Sequence, residues 1–262
     1  MQQLSVRGII CDMDGVIYHG NALLPGAATY IEWLQRTNIP FLFLTNSSER
    51  SPRELSEKLE RMGVSINESH FYTSAMATSA FLSSQCPGGS AYVIGQPGLI
   101  NAIYEAGFSI NDVNPDYVVI GETPSYNYES ITKAVMLVRN GAKLIGTNPD
   151  LTGPVELGIV PACGALVAPI ELATGVKAYF VGKPNPIIMR SALRILSCQR
   201  EFALIVGDRM DTDIIAGIEA GIKTVMVLSG VTQPDDMKRY GYRPDFILSH
   251  VGQLPELISY SG

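Results

Sequence analysis

The sequence predicts an α/β fold with mainly parallel sheets. Short apolar runs such as Ile9-Ile10-Cys11, Phe41-Leu42-Phe43-Leu44 and Ala203-Leu204-Ile205-Val206 recur along the chain. They lack the alternation of a half-exposed strand, so they suit strands covered on both faces, as parallel sheets require. Longer segments with apolar residues at helical spacing separate them, and strand–helix alternation of this kind defines the class. The chain also turns polar directly after several of the runs, and strand ends are where open α/β sheets bind ligands.

The first strand runs into Asp12-Met13-Asp14-Gly15. If the extended geometry persists, Asp12 and Asp14 project to the same side. Their repulsion would then call for a cation; the alternative is a plain Asp-Gly turn. Val16 to Asn21 suits a short turn or flap, and a helix is expected over 27–36, with Ile31 and Leu34 inward. A second strand, 40–44, ends in Thr45-Asn46-Ser47-Ser48. Ser51 as N-cap, Pro52 at the first position and Glu54 as capping-box partner announce the next helix. Leu55, Leu59 and Met62 form its apolar stripe, Glu54–Lys58 and Glu57–Arg61 are favourable i,i+4 pairs, and Gly63 is its stop.

A strand at 71–73 and a helix near 75–83 follow, then the breaker cluster Cys86-Pro87-Gly88-Gly89-Ser90, a candidate domain boundary. Strands at 91–95, 116–121 and 143–147 then alternate with helices at 98–106 and 128–139. Residues 151–161, rich in Gly and Pro, are expected to be irregular, and 162–174 helical. A strand at 177–182 leads into Lys183-Pro184, followed by a helix at 187–196. The strand 202–206 ends in Gly207-Asp208-Arg209-Met210-Asp211-Thr212-Asp213, and a helix from there stops at Gly221. A strand at 224–228, a short helix, a strand at 246–248 and a last helix complete the pattern.

At 262 residues the chain can form one large domain or a core with an inserted second unit. With 46% hydrophobic and 17% charged residues it suits a globular protein. A net charge of -6 argues against nucleic-acid polymers and anionic membranes as partners. A small anion held by a local cation remains compatible. Cys11, Cys86, Cys163 and Cys198 have no C-x-x-C or metal-site spacing, so they are expected to be incidental or buried thiols in a reducing compartment. The opening Met1 to Arg7 has neither the basic segment nor the apolar stretch of a signal peptide, and no apolar run reaches membrane-spanning length. The expected location is cytoplasmic. His19, His70 and His250 fall in no motif, and Trp33 suits packing.

The polar residues at strand ends are Asp12 and Asp14, Thr45 and Asn46, Lys183, then Asp208 and Asp213. They supply carboxylates for a hard divalent ion, small donors for an oxyanion and a point positive charge. That inventory matches phosphoryl transfer. Each residue also has a plain alternative. Asp208 and Asp213 could favour a helix dipole, Asp211 could be an N-cap, Thr45 and Asn46 turn residues, and Lys183 a solvated loop lysine. All of these alternatives holding in strand-end order is the weaker account.

Asp12-x-Asp14-Gly15-Val16, Leu44-Thr45-Asn46, Gly182-Lys183-Pro184 and Gly207-Asp208-x-x-x-Thr212-Asp213 resemble, in this order, the four signature motifs of the haloacid dehalogenase superfamily of phosphatases. Tyr72 to Thr78, Val113 to Asp116, Thr147-Asn148-Pro149-Asp150 and Pro161 to Leu166 are similar to its NagD-like branch, the nucleotide and sugar-phosphate phosphatases with a C2-type cap. The resemblance implies a doubly wound, Rossmann-like core, 1–84 and 180–262, with an inserted α/β cap at 85–179 that excludes water. It implies a Mg2+-dependent phosphomonoesterase of small phosphorylated metabolites, foremost nucleoside 5′-monophosphates such as UMP. Sugar phosphates, phosphoglycolate and pyridoxal phosphate are alternatives.

By the same resemblance, Asp12 is the nucleophile and Asp14 the general acid and base. Thr45 and the Asn46 backbone hold phosphate oxygens, and Lys183 neutralises charge. Mg2+ is bound by Asp12, the Asp14 carbonyl and Asp208, with Asp213 acting mainly through water. Arg209, Met210, Asp211 and Thr212 are candidate substrate contacts, although Arg209 and Asp211 depart from the branch's pattern. Asn148 and Asp150 are candidate specificity contacts, or else an Asn-Pro-Asp turn. Two readings of another class are a phospho-accepting regulatory domain and a metabolite-binding protein without turnover; the nucleophile's place on the first strand and the intact acid pair disfavour them. A homo-oligomer is left open.

Overall fold

The computed structural model describes residues 4–155 and 158–258. The expectation about the chain's opening rests partly on Met1 to Gln3, which lie outside the described residues. The chain divides into two compact units. One comprises the residues up to Thr45, Ser56–Tyr72 and those from Ile188 onward; the other comprises Asn46–Leu55 and Thr73–Ile187. The expected insert, 85–179, lies inside the second unit.

The first unit is built on a six-stranded sheet in the order Phe246–Leu248, Lys223–Val227, Ala203–Gly207, Gly8–Cys11, Phe41–Thr45, Phe71–Thr73. Numbered along the chain within this sheet, the spatial order is 6-5-4-1-2-3, the doubly wound arrangement. The two central strands run parallel, with Ile10 opposite Ile205 and Cys11 opposite Val206. Every residue of both strands is buried, which explains why they are apolar throughout rather than alternating. The order reverses between these two strands, and Asp12 and Asp208 follow their carboxyl ends.

The helix Ala27–Arg36 lies where its periodicity places it, with Ala27, Tyr30, Ile31 and Leu34 buried. The helix Pro52–Arg61 opens on the expected capping box. The Ser51 N–H donates to a Glu54 carboxylate oxygen at 2.7 Å, and the Glu54 N–H donates to the Ser51 hydroxyl at 3.3 Å. Lys58, four residues after Glu54, turns inward from this helix. It is only 7% exposed, and its ammonium lies 3.6 Å from the centroid of the Tyr18 ring. The aromatic face replaces part of the hydration that burial removes.

The second unit has its own five-stranded parallel sheet, ordered Tyr179–Phe180, Lys143–Gly146, Tyr117–Ile120, Ser90–Ile94, Ser109–Ile110. Helices Tyr128–Arg139 and Cys163–Thr174 contribute to its core through Ala134, Leu137, Val167 and Ile170, packed with Val118, Ile120 and Leu144. The edge strand Ser109–Ile110 carries too few residues to show a pattern.

The segment expected to be irregular proves to be an antiparallel ribbon, Thr152–Val155 paired with Gly158–Pro161. Its Gly and Pro content hid the strands. A two-stranded ribbon is all edge, and an edge strand tolerates a residue that cannot donate to the ladder. The expected helix after Asp213 is also altered. A five-residue π turn, Met210–Ile214, precedes a short α-helix, Ile215–Ala220. The last two helices are 3-10 segments, Asp236–Arg239 and Val251–Leu257.

All four cysteines are free thiols, and burial pushes the Cys163 thiol up to about 12. Among the described residues, no helix is long and apolar enough to cross a membrane.

The Glu54 carboxyl is held below its ordinary range chiefly by the Ser51 backbone N–H, with the Ser51 hydroxyl assisting. A depressed folded-state value contributes stability above the unfolded value and loses it as pH falls through the folded one. Glu54→Ala, which removes the carboxylate that accepts this N–H, is therefore expected to lower unfolding stability by about 0.5 kcal/mol at pH 7. Urea titrations should show that difference narrowing as the pH falls through the titration of Glu54.

Candidate active site

The first central strand continues its ladder by one residue past Cys11, since the Asp12 N–H donates to the Val206 carbonyl at 2.8 Å. Asp12 is thereby anchored at the strand's carboxyl end. The extended geometry then stops. The Met13 carbonyl accepts the Ile17 N–H at 2.8 Å, and the Gly15 N–H donates to the Tyr18 carbonyl at 2.9 Å. Gly15 has φ 78, the left-handed conformation that favours glycine. Tyr18–His19 then pairs with Ala22–Leu23 in a small hairpin where a short turn or flap was expected. Asp12 and Asp14 are therefore not successive same-side residues of one strand.

The neighbouring central strand delivers Asp208. The Val231 N–H donates to its Oδ2 at 2.7 Å. Gly230 lies against the same oxygen, where a Cβ would stand only 2.0 Å from it. The π turn brings Asp213 back to the strand end, a placement common for π turns at functional sites. The Asp213 Oδ2 accepts the Arg209 N–H at 3.2 Å, and the Asp213 N–H donates to the Arg209 carbonyl at 3.2 Å.

The result is a group of three carboxylates. One oxygen each from Asp12, Asp208 and Asp213 lies within 4.8 Å of the others, with exposures of 8%, 1% and 0%. Negative charges this close and this dry destabilise one another unless they are protonated or countered. A divalent cation is the economical counter-charge, and an all-oxygen donor set suits a hard ion such as Mg2+. The Asp14 carboxylate is half-exposed and lies outside this group, so its carboxyl has a different environment from that of Asp12.

Thr45 closes the strand Phe41–Thr45 beside the first central strand and is buried. Asn46 and Lys183 meet within the second unit. The Lys183 N–H donates to Asn46 Oδ1 at 2.8 Å, and Asn46 Nδ2 donates to the Lys183 carbonyl at 3.0 Å. The Asn46 side chain thus clamps the Lys183 main chain from both sides. Sequence reasoning missed this clamp, because it had assigned Asn46 a role through its backbone and the two residues belong to separate motifs. Lys183 is 2% exposed, not a solvated loop lysine.

Asp211 is not a helix N-cap. Its carboxylate receives the Arg209 guanidinium through two bonds, Nε to Oδ1 at 3.0 Å and Nη2 to Oδ2 at 2.9 Å. The Met210 side chain is fully buried with Ile214, Met226 and Met237, while its carbonyl accepts the Tyr242 hydroxyl at 2.9 Å. Thr212 is buried. Asn148, a candidate specificity contact or else part of an Asn-Pro-Asp turn, is fully buried; its Oδ1 accepts the Asp150 N–H at 3.1 Å, as such a turn requires, and its NH2 reaches the Asn46 carbonyl and Glu122.

Residues 9–109 match the haloacid dehalogenase-like hydrolases, and residues 180–254 match a HAD-hydrolase-like family. The chain belongs to the haloacid dehalogenase-like hydrolases. Within them it falls in the NagD-like branch. It is 45% identical over 251 residues to ribonucleotide monophosphatase NagD of Escherichia coli K12, covering 96% of this chain and 99% of that one. The structure of that protein superposes with a TM-score of 0.90, covering 95% of this chain and 98% of that one.

Dihydroxyacetone phosphatase of Corynebacterium glutamicum is 44% identical over 247 residues, 94% of this chain and 90% of its own. An acid sugar phosphatase of Staphylococcus aureus is 40% identical over 241 residues, 92% of this chain and 93% of its own. The chain is a phosphatase acting on phosphorylated small molecules.

A side chain at Gly230 would drive the Asp208 carboxylate out of the group. Gly230→Ala is expected to lower phosphate release at least about tenfold. Retained circular dichroism alongside the loss would attribute it to the site rather than to unfolding.

Proposed function

We propose that the protein is a Mg2+-dependent phosphomonoesterase working through an aspartyl-phosphate intermediate, with nucleoside 5′-monophosphates such as UMP as its preferred substrates. The observation that carries this reading is the buried trio of Asp12, Asp208 and Asp213 at the reversal of the strand order. Asp12 and Asp208, with the Asp14 carbonyl, would hold Mg2+, and Asp213 would act from behind them through water. When bound, the ion supplies positive charge to a region otherwise crowded with negative charge.

The chain's own residues account for the proton and bond inventory. A carboxylate oxygen of Asp12 bonds to phosphorus as the ester oxygen leaves, and Asp14 gives that oxygen its proton. Asp14 then takes a proton from the water that attacks the aspartyl-phosphate, which frees phosphate and regenerates Asp12. Thr45 and the Asn46 backbone hold the phosphoryl oxygens, and Lys183 offsets their charge. Of Arg209 to Thr212, Arg209, Asp211 and Thr212 supply further contacts to the substrate, while the Met210 side chain stays packed in the core. Residues 85–179 form the cap that meets the leaving group.

The NagD relative, named a ribonucleotide monophosphatase, supports the nucleotide preference. A second reading, a sugar- or triose-phosphate phosphatase, is favoured by the relatives named acid sugar phosphatase and dihydroxyacetone phosphatase. Free thiols are in keeping with cytoplasmic action.

Asp12→Asn is expected to reduce release of phosphate from p-nitrophenyl phosphate on the order of 10³-fold or more. A purified variant with most of its activity would refute the nucleophile assignment. Chelation should abolish turnover and added Mg2+ restore it; unchanged turnover after complete metal removal would end the metal assignment. Comparing kcat/KM for UMP with that for sugar and triose phosphates separates the two substrate readings.

A further inference from the structure

The clamp on Lys183 is itself held by residues that the proposed chemistry does not use. The Asn46 Nδ2 donates to Asp150 Oδ2 at 3.0 Å, in addition to the Lys183 carbonyl. The Asn46 carbonyl accepts the Asn148 Nδ2 at 2.7 Å and also the Ser74 hydroxyl. Asn148 Nδ2 reaches Glu122 as well, whose other oxygen accepts the Ser48 hydroxyl and, at 3.2 Å, the Ser48 N–H. The Asp150 N–H returns to Asn148 Oδ1 at 3.1 Å. The approach is close enough that a Cβ on Gly182 would stand 2.8 Å from Asn46 Oδ1 and 2.6 Å from the Thr147 carbonyl. All of these residues belong to the second unit.

A side-chain amide can face either way, and its partners decide which. An ionised carboxylate only accepts, so Asp150 draws the NH2 end of Asn46 toward itself. That leaves Oδ1 to receive the Lys183 N–H. The reversed amide would set oxygen against carboxylate at one end and NH2 against N–H at the other. The Lys183 N–H and carbonyl call for the same, unreversed orientation, and Asp150 reinforces it by accepting from the NH2 end.

We propose that Asp150 is a positioning residue for Lys183, acting through Asn46, with Glu122 and Asn148 bracing the Asn46 main chain. The inference rests on the role proposed above for Lys183 in offsetting phosphoryl charge.

The test is a double-mutant cycle read as kcat/KM for p-nitrophenyl phosphate, with enzyme concentrated enough to follow single turnovers in the weak variants. Asp150→Ala is expected to lower kcat/KM about tenfold. Asp150→Asn keeps an acceptor oxygen for the Asn46 NH2 and should recover most of that loss. In a Lys183→Met background, Asp150→Ala should add less than about a twofold further loss, because the two act as one unit. Should the alanine variant fail to fold, Asp150→Ser, too short to reach Asn46, serves in the same cycle.

An alanine variant within about twofold of the wild type would overturn the inference, as would losses that multiply independently of Lys183. A wild type that releases no phosphate, or a Lys183→Met variant of undiminished activity, would instead overturn the catalytic reading, and the positioning role with it.

Discussion

Mutual repulsion among three buried carboxylates is the constraint on which the first unit turns. Asp12, Asp208 and Asp213 sit within 4.8 Å of one another and almost out of reach of water. Such an arrangement persists only if the surrounding backbone holds each group in place and protonation or a positive charge relieves the repulsion. The local structure does the first part. Ladder pairing fixes Asp12, the Val231 N–H fixes Asp208, and the π turn folds Asp213 back onto the Arg209 N–H. The parallel sheet explains why these groups meet at all, since its strand order reverses between the strands that carry Asp12 and Asp208.

The second unit solves a different problem. It grips the main chain of a lysine whose long side chain has many rotamers. Asn46 bonds both sides of the Lys183 peptide, and Asp150 and Asn148 hold Asn46. Every polar group in that network has a partner of opposite hydrogen-bonding character, which lets it be buried without a large desolvation penalty. Relatives of similar identity carry different substrate names. A shared phosphoryl-transfer apparatus can serve many leaving groups when other residues choose among them.

Much of the fold was legible. The strands Gly8–Cys11, Phe41–Thr45 and Ala203–Gly207 are apolar because both their faces are covered, and the helix Pro52–Arg61 announced itself through Ser51, Pro52 and Glu54. Where the structure differs, a specific partner, near in sequence or far from it, overrode a local preference. Lys58 lies at i,i+4 spacing from Glu54, yet its ammonium sits over the Tyr18 ring. Asp211 has the chemistry of an N-cap, yet the Arg209 guanidinium takes both its oxygens. The ribbon Thr152–Val155 with Gly158–Pro161 looked irregular because Gly and Pro suppress the strand signal, while pairing between its two strands supplies the order.

The sequence by itself determined the α/β class, the order of the strands along the chain and the identity of the acidic, hydroxyl and cationic residues at their ends. Those features are local: they follow from apolar runs, caps and residue chemistry. Only the tertiary structure decided which strand ends are neighbours, and so that Asp12, Asp208 and Asp213 form one group while the Asp14 carboxyl stays outside it. It alone turned Asn46 into a clamp on Lys183, 137 residues away. Distances between residues so far apart in the chain are set by sheet order and packing, which no local pattern records.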